Sequence, residues 1–217
     1  MNFFRTPFFL PKLFPQLTWR IETPAKELYL TFDDGPVPGP TEFVLETLQK
    51  ANSVATFFCI GDNIMKHPSL LRSVIAANHV VANHTFNHLS GWKTSTQSYL
   101  DNIILCEAQI RADYPLSATD RGSTQPPFLF RPPYGRITRD QIKTLLDYKI
   151  VMWDVLTNDY ARRLSPERCL KGSIAATRPG SIIVFHDSLK AERNMTYVLP
   201  RFIEHFVNLG YTFKVLR

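Results

Sequence analysis

The chain has 217 residues, with 25 Lys and Arg against 19 Asp and Glu and a formal net charge of +6. At 44% hydrophobic, 12% aromatic and 20% charged it has the composition of an ordinary globular protein long enough to bury a core, which excludes disordered, collagenous and coiled-coil chains. Cys59, Cys106 and Cys169 are odd in number and lack C-x-x-C spacing, so neither a disulfide framework nor a cysteine zinc site is expected, and their place is in the core.

Residues 1–27 are rich in Phe and Pro. Their apolar pieces are cut short by Arg5, Pro7, Pro11, Lys12 and Pro15. A secretory signal needs roughly 7 to 15 uninterrupted apolar residues, and a bilayer span needs about 18. The segment therefore reads as an aromatic arm that packs on the domain. A membrane-surface role for Phe3, Phe4, Phe8 and Phe9 is the lesser reading. With no recognisable export signal or transmembrane helix, the cytoplasm is the default location, and peripheral membrane binding or non-standard export are the alternatives.

Beyond the arm, short β-rich apolar runs alternate with segments of helical period, the pattern of βα units around a parallel sheet. Strands are predicted at Leu28–Phe32, Ala55–Ile60, Val80–Asn83, Phe128–Arg131, Ile150–Trp153, Ile182–His186 and Tyr211–Val215. Helices are predicted at Thr41–Lys50, Pro68–Asn78, Thr96–Ala112, Thr138–Asp147, Pro166–Ala176 and Tyr197–Leu209, on apolar spacings such as Leu70, Leu71, Val74 and Ile75. Ser165 before Pro166 is a helix N-cap, and Gly210 ends the last helix. Tyr114–Pro127 reads as a longer loop.

Asp33 and Asp34, His84, Arg131, Asp154 and His186 each end a different predicted strand. In a parallel barrel those ends meet at one mouth. The expected fold is therefore α/β, a distorted (β/α) barrel of about seven parallel strands, formed as a single domain over residues 1–217. The basic residues are scattered and form no stripe with aromatics, so nucleic acid is not an expected partner.

Five clusters carry chemistry. Thr31-Phe32-Asp33-Asp34-Gly35 sends two carboxylates off a strand into a turn. His84-Thr85-Phe86-Asn87-His88 offers two imidazoles four residues apart, able to share one face of a helical turn and bind a metal. Thr85 stands where the zinc protease pattern needs Glu, so a base must come from elsewhere. Asp34 would complete a three-ligand set with open positions, leaving Asp33 free as the base. Arg131-Pro132-Pro133-Tyr134-Gly135 supplies a guanidinium to hold a carboxylate in a turn stiffened by proline. The remaining clusters are Trp153 to Tyr160 and Ile183 to Ser188, the latter with His186 placed for acid or base work. His67, His79 and His205 read as structural or surface residues.

In this order and spacing, the five clusters resemble the motifs of the polysaccharide deacetylase family, carbohydrate esterase family 4, from about Leu28 to the C-terminus. The resemblance implies a distorted barrel and a metal-dependent hydrolase that removes N-acetyl groups from amino-sugar residues of a peptidoglycan- or chitin-like glycan and releases acetate. It implies Asp34, His84 and His88 as ligands of a divalent metal, zinc first, with cobalt or another divalent ion as alternatives. It makes Asp33 the base held by Arg131, His186 the acid paired with Asp159, and the Tyr134 backbone N–H an oxyanion donor. Pro133, Tyr160 and Val184 would line the substrate. Tyr160 stands where the family has Trp, and Val184 where it has Leu, so acyl and sugar preference rest on different side chains here. The alternatives are a hydrolase of non-sugar amides and a non-catalytic carbohydrate-binding barrel.

Overall fold

A computed structural model describes residues 3–113 and 128–217; the loop expected at Tyr114–Pro127 lies outside them. Eight strands are present among the described residues. They are β1 (Glu27–Asp33), β2 (Thr56–Cys59), β3 (Val80–Asn83), β4 (Phe128–Phe130), β5 (Tyr148–Ile150), β6 (Val155–Leu156), β7 (Ile182–His186) and β8 (Thr212–Phe213). Seven form a curled parallel sheet in the order β5-β4-β3-β2-β1-β7-β6, and β8 pairs with the entry of β1. The helices are α1 (Leu10–Leu13), α2 (Pro40–Lys50), α3 (Gly61–Lys66), α4 (Pro68–Ala76), α5 (Thr96–Asp113), α6 (Arg139–Thr144), α7 (Pro166–Ala176) and α8 (Glu192–Asn208). None is long and apolar enough to cross a membrane.

The period-2 alternation of a strand sorts β1 between two environments. Leu28, Leu30 and Phe32 join the core beneath the helices, with Val44 and Leu48 of α2 and Phe202 of α8. Tyr29 turns the other way, against Phe58, Ala82 and Leu129. Thr31 and Asp33 follow Tyr29 in that alternation, so the same face carries the polar groups toward the end of the strand. The three cysteines are free and buried.

The arm supplies backbone partners to both ends of the open sheet. Thr18 bridges Val151 just beyond β5, where its carbonyl accepts from Met152 N at 2.7 Å. Phe4 O accepts from Leu156 N of β6 at 2.9 Å, and Thr6 N donates to Asp154 O at 2.9 Å. The strand edges that would otherwise be left unpaired are thereby used.

The structure corrects several local expectations. Ile150–Trp153 is not one strand: β5 ends at Ile150, the chain crosses beside the arm, and β6 begins at Val155. Asp154 therefore enters a strand instead of leaving one. Its N–H bonds the carbonyl of Ile182, the first residue of β7, whereas the mouth lies at the last, His186. Asp154 is thus at the opposite end of the barrel. Helix α6 stops at Thr144, α3 is additional to the helices predicted from the sequence, and α8 starts at Glu192. Pro200 lies within α8, whose buried face of Met195, Val198, Leu199, Phe202, Ile203 and Phe206 carries the helix across it. The N-cap at Ser165 and the positive φ of Gly210 agree with the sequence reading.

Candidate active site

The mouth is built where β1 and β7 end side by side, with Asp33 in register with His186. Asp33 is buried and accepts a 2.6 Å bond from Arg131 Nη1 on Oδ1. Arg131 is itself fully buried. It also donates to Thr31 Oγ1 at 2.8 Å and to the carbonyls of Val151 and Met152 at 3.2 and 3.0 Å, while its guanidinium lies 4.0 Å from the Phe58 ring centroid. A desolvated cation with this many partners keeps its charge and fixes its neighbour.

Asp34 follows in a left-handed conformation, φ 85°, which turns it away from the line of β1. Its Oδ1 lies 3.2 Å from His88 Nε2 and 3.7 Å from His84 Nε2. The segment from His84 to His88 is not the helical turn expected of it. Thr85 and His88 have φ of 64° and 55°, and the loop is pinned by Asn83 Oδ1 accepting from Thr85 N and Asn102 Oδ1 accepting from Phe86 N and Asn87 N. One ligand atom from each of Asp34, His84 and His88 falls within 4.8 Å of the others.

The donor chemistry suits a divalent cation. His84 Nδ1 is 2.8 Å from Arg131 O, so it carries the proton and leaves the Nε2 lone pair toward Asp34. Burial pushes the His84 imidazole down to about 4 against the pull of Asp33, which keeps it neutral at pH 7 as ligation requires. His88 Nδ1 lies 3.0 Å from the Tyr134 hydroxyl, fixing the second imidazole in the same sense. Burial opposes charge on Asp34, but in the acid range where it would take up a proton the imidazoles are themselves protonated, and the contact with His88 and the charges of His186 and His84 hold it well below the usual carboxylate range.

Across the mouth, Asp159 binds His186 twice, through Nδ1 at 2.8 Å and the backbone N–H at 2.8 Å, and also accepts from Tyr160 N. Burial alone would lower the His186 imidazole; Asp159 outweighs it, with help from Asp34 and Asp33, and raises it to about 9. The Tyr160 ring stands edge-on to His186 at 4.9 Å. Val184 is buried on β7, and Pro133 and Tyr134 form a tight turn in which Tyr134 has φ 60°. Asp33, Asp34, His84, His88, Arg131, Tyr134, Asp159 and His186 thus meet at one end of the barrel. Asp154 does not join them.

Two contributors escaped the sequence reading. The Tyr134 hydroxyl reaches His88, whereas the sequence motif gives a task to its backbone N–H alone. Asp187 is fully buried, accepting Gly35 N at 3.0 Å and the Thr41 hydroxyl at 2.6 Å, and burial pushes it up to about 8. A Cβ at position 35 would fall 1.9 Å from Asp187 Oδ2, which is why glycine follows Asp34. The signal for it in the sequence is the carboxylate directly after His186.

A profile of the family described as polysaccharide deacetylase matches residues 20–153, more than half of the chain. The chain belongs to this family. A chitooligosaccharide deacetylase of Bradyrhizobium sp. (strain ANU 289) is 34% identical over 165 residues, covering 75% of this chain and 71% of that protein. A peptidoglycan-N-acetylglucosamine deacetylase of Bacillus cereus is 29% identical over 201 residues, covering 91% and 89%. Among solved structures, the Bc1960 peptidoglycan N-acetylglucosamine deacetylase superposes with a TM-score of 0.85 at 28% identity, over 97% of this chain and 95% of that one. BA3943 of Bacillus anthracis, a CE4 pseudoenzyme, superposes at 0.77 with 23% identity, over 91% of this chain and 66% of that one. That last likeness is one of fold alone. A polysaccharide deacetylase fold does not by itself carry catalysis; the side chains at the mouth must.

Proposed function

We propose that the chain is a single catalytic domain, metal-dependent and using zinc, that hydrolyses the N-acetyl group of amino-sugar residues in a peptidoglycan- or chitin-like glycan. The observation that carries this reading is the meeting of the Asp34, His84 and His88 donors within 4.8 Å of one another between two differently set carboxylate pairs, Asp33–Arg131 and Asp159–His186. Relatives named as chitooligosaccharide and peptidoglycan deacetylases support the substrate class.

Asp34, His84 and His88 would hold the ion, which when bound polarises the amide carbonyl and acidifies water. Asp33, anchored through Oδ1, takes the proton of the attacking water on its second oxygen. The water oxygen adds to the acetyl carbon, and the backbone N–H of Tyr134 stabilises the oxyanion. His186, protonated and aligned by Asp159, gives its proton to the amide nitrogen as the C–N bond breaks. Acetate and a free amino sugar leave. Val184, Tyr160 and Pro133 line the acyl group and the sugar.

Metal content and acetate release, measured on N-acetylated chitin oligomers, peptidoglycan fragments and small non-sugar amides, test this. Acetate from the glycans with about one ion bound is the expected result. Release from small amides alone would replace the substrate class, and Tyr160 and Val184 in the acyl positions are the reason to include that arm. Glycan binding with no acetate in excess zinc or cobalt would make the protein a binding barrel.

A further inference from the structure

A cavity of about 350 Å³ lies between the N-terminal arm and the barrel, with Tyr134 as a wall shared with the candidate metal centre. Its lining includes Leu10 and Phe14 of the arm, Trp92, Trp153 and Leu156. Neither Val184 nor Tyr160 borders it, so it is separate from the positions assigned to the acyl group. Its volume falls in the range of small-molecule sites, roughly 300 to 1,000 Å³, and is far above the voids that close packing leaves.

Most of the side-chain polar hydrogens around it are already in use. Thr6 Oγ1 donates to Trp153 O at 2.6 Å, Trp92 Nε1 to Ile137 O at 3.1 Å, Trp19 Nε1 to Phe14 O at 3.1 Å, and Arg5 Nε to Ala176 O at 2.8 Å. Water entering would find few partners, whereas a hydrocarbon would lose none. Phe3, Trp92 and Tyr134 stay 67%, 65% and 61% exposed at its rim, an apolar entrance beside the mouth.

We propose that this cavity binds a linear apolar chain carried by the substrate, so that the substrate class is an N-acetylated amino sugar bearing an alkyl or acyl tail. For the reacting end this rests on the deacetylase reading; for the tail it rests on the cavity. Tyr134 joins the two, since the residue that walls the tail site also holds His88.

The test uses the full chain. Binding of the neutral dye N-phenyl-1-naphthylamine is followed by fluorescence, alone and in competition with the methyl and decyl β-glycosides of diacetylchitobiose below their micelle concentrations. Acetate release from both glycosides is then measured. One-to-one dye binding, displaced by the decyl but not the methyl glycoside, is expected, together with a KM at least tenfold lower for the decyl compound. Each methylene fully buried is worth roughly fourfold, from ~0.8 kcal/mol, so this is a low demand. Leu10→Asp removes dye binding and the tail effect but leaves turnover of the methyl glycoside unchanged. Trp92→Ala, at an exposed position, weakens both without threatening the fold. No saturable dye binding, no displacement by the decyl glycoside, or a KM indifferent to the tail overturns the proposal. Displacement by the decyl glycoside with no acetate released would instead remove the deacetylase reading and leave the cavity assignment standing.

Discussion

Two Asp–Arg pairs sit at opposite ends of the barrel and differ in what they leave over. Asp154 is saturated: Arg178 grips both oxygens, at 2.8 and 3.0 Å, and Ser181 donates to one of them at 2.7 Å. Asp33 meets Arg131 through one oxygen only, and among the described residues no hydrogen bond engages the other. In the first pair the arginine is half exposed and the carboxylate ties down the entry of β6. In the second, the fully buried arginine also engages Thr31 and two carbonyls, and the carboxylate keeps a free lone pair at the mouth. Full satisfaction builds structure; partial satisfaction, with the charge secured from behind, leaves an atom free to react.

Breaking the second pair at its carboxylate has the largest expected effect. Asp33→Asn keeps size and burial but removes the basic lone pair, so acetate release falls by about 10²- to 10⁴-fold while metal content, read by elemental analysis, stays unchanged. Wild-type-like turnover would remove Asp33 from the base role. Breaking the pair from the other side acts on folding. Arg131→Ala leaves a buried carboxylate without its cation, and a loss of roughly 3 to 5 kcal/mol is expected in denaturant unfolding.

The acid side of the mouth is tested through pH. His186 is raised in the folded state from 6.5 to about 9, so it stays protonated through neutrality, and the rate falls about tenfold per unit above pH 9. The sign for stability follows from linkage. A folded value above the unfolded one gives stabilisation that is complete below about 6.5 and lost as pH rises through 9. Asp159→Asn removes the main source of the upward shift and moves the alkaline limb to lower pH, measurable by a rate profile.

The Asp33–Asp154 contrast also marks how far the sequence alone could be read. The alternation of apolar runs and helical periods was sufficient for a parallel barrel, because strands buried on both faces need unbroken apolar stretches. The carboxylates and imidazoles at the mouth were legible by type and spacing. Asp154 was misplaced because Val151–Trp153 are apolar whether they continue a strand or cross beside the arm, and only the pairing of Thr18 with Val151 decides. The loop from His84 to His88 defeated a helical reading because its shape depends on the side chain of Asn102, far along the chain. The Tyr134–His88 bond and the burial of Asp187 are contacts between distant segments, which a residue pattern does not carry.

Tyr134→Phe sharpens the comparison at the metal side. The ring, the turn and the backbone N–H stay, and only the hydroxyl that orients His88 Nδ1 is lost. Metal affinity measured by chelator competition is expected to fall about tenfold, the lower end for a residue that orients a ligand without touching the ion. An unchanged affinity would mean that the loop bonds from Asn83 and Asn102 alone suffice to aim His88.

The smallest effect falls on the saturated pair, and it is the control that gives the others meaning. Asp154→Asn weakens a contact whose arginine is half in solvent, where screening reduces an ion pair to about 1 kcal/mol or less. The amide oxygen still accepts one bond from Arg178, so part of even that is kept. Urea unfolding should shift slightly, and acetate release and metal content should not move. Were Asp154→Asn to lose turnover like Asp33→Asn, the carboxylate at the entry of β6 would be coupled to the mouth along β7. Exposure and hydrogen-bond saturation would then not separate the structural carboxylate of this barrel from the one proposed as its base.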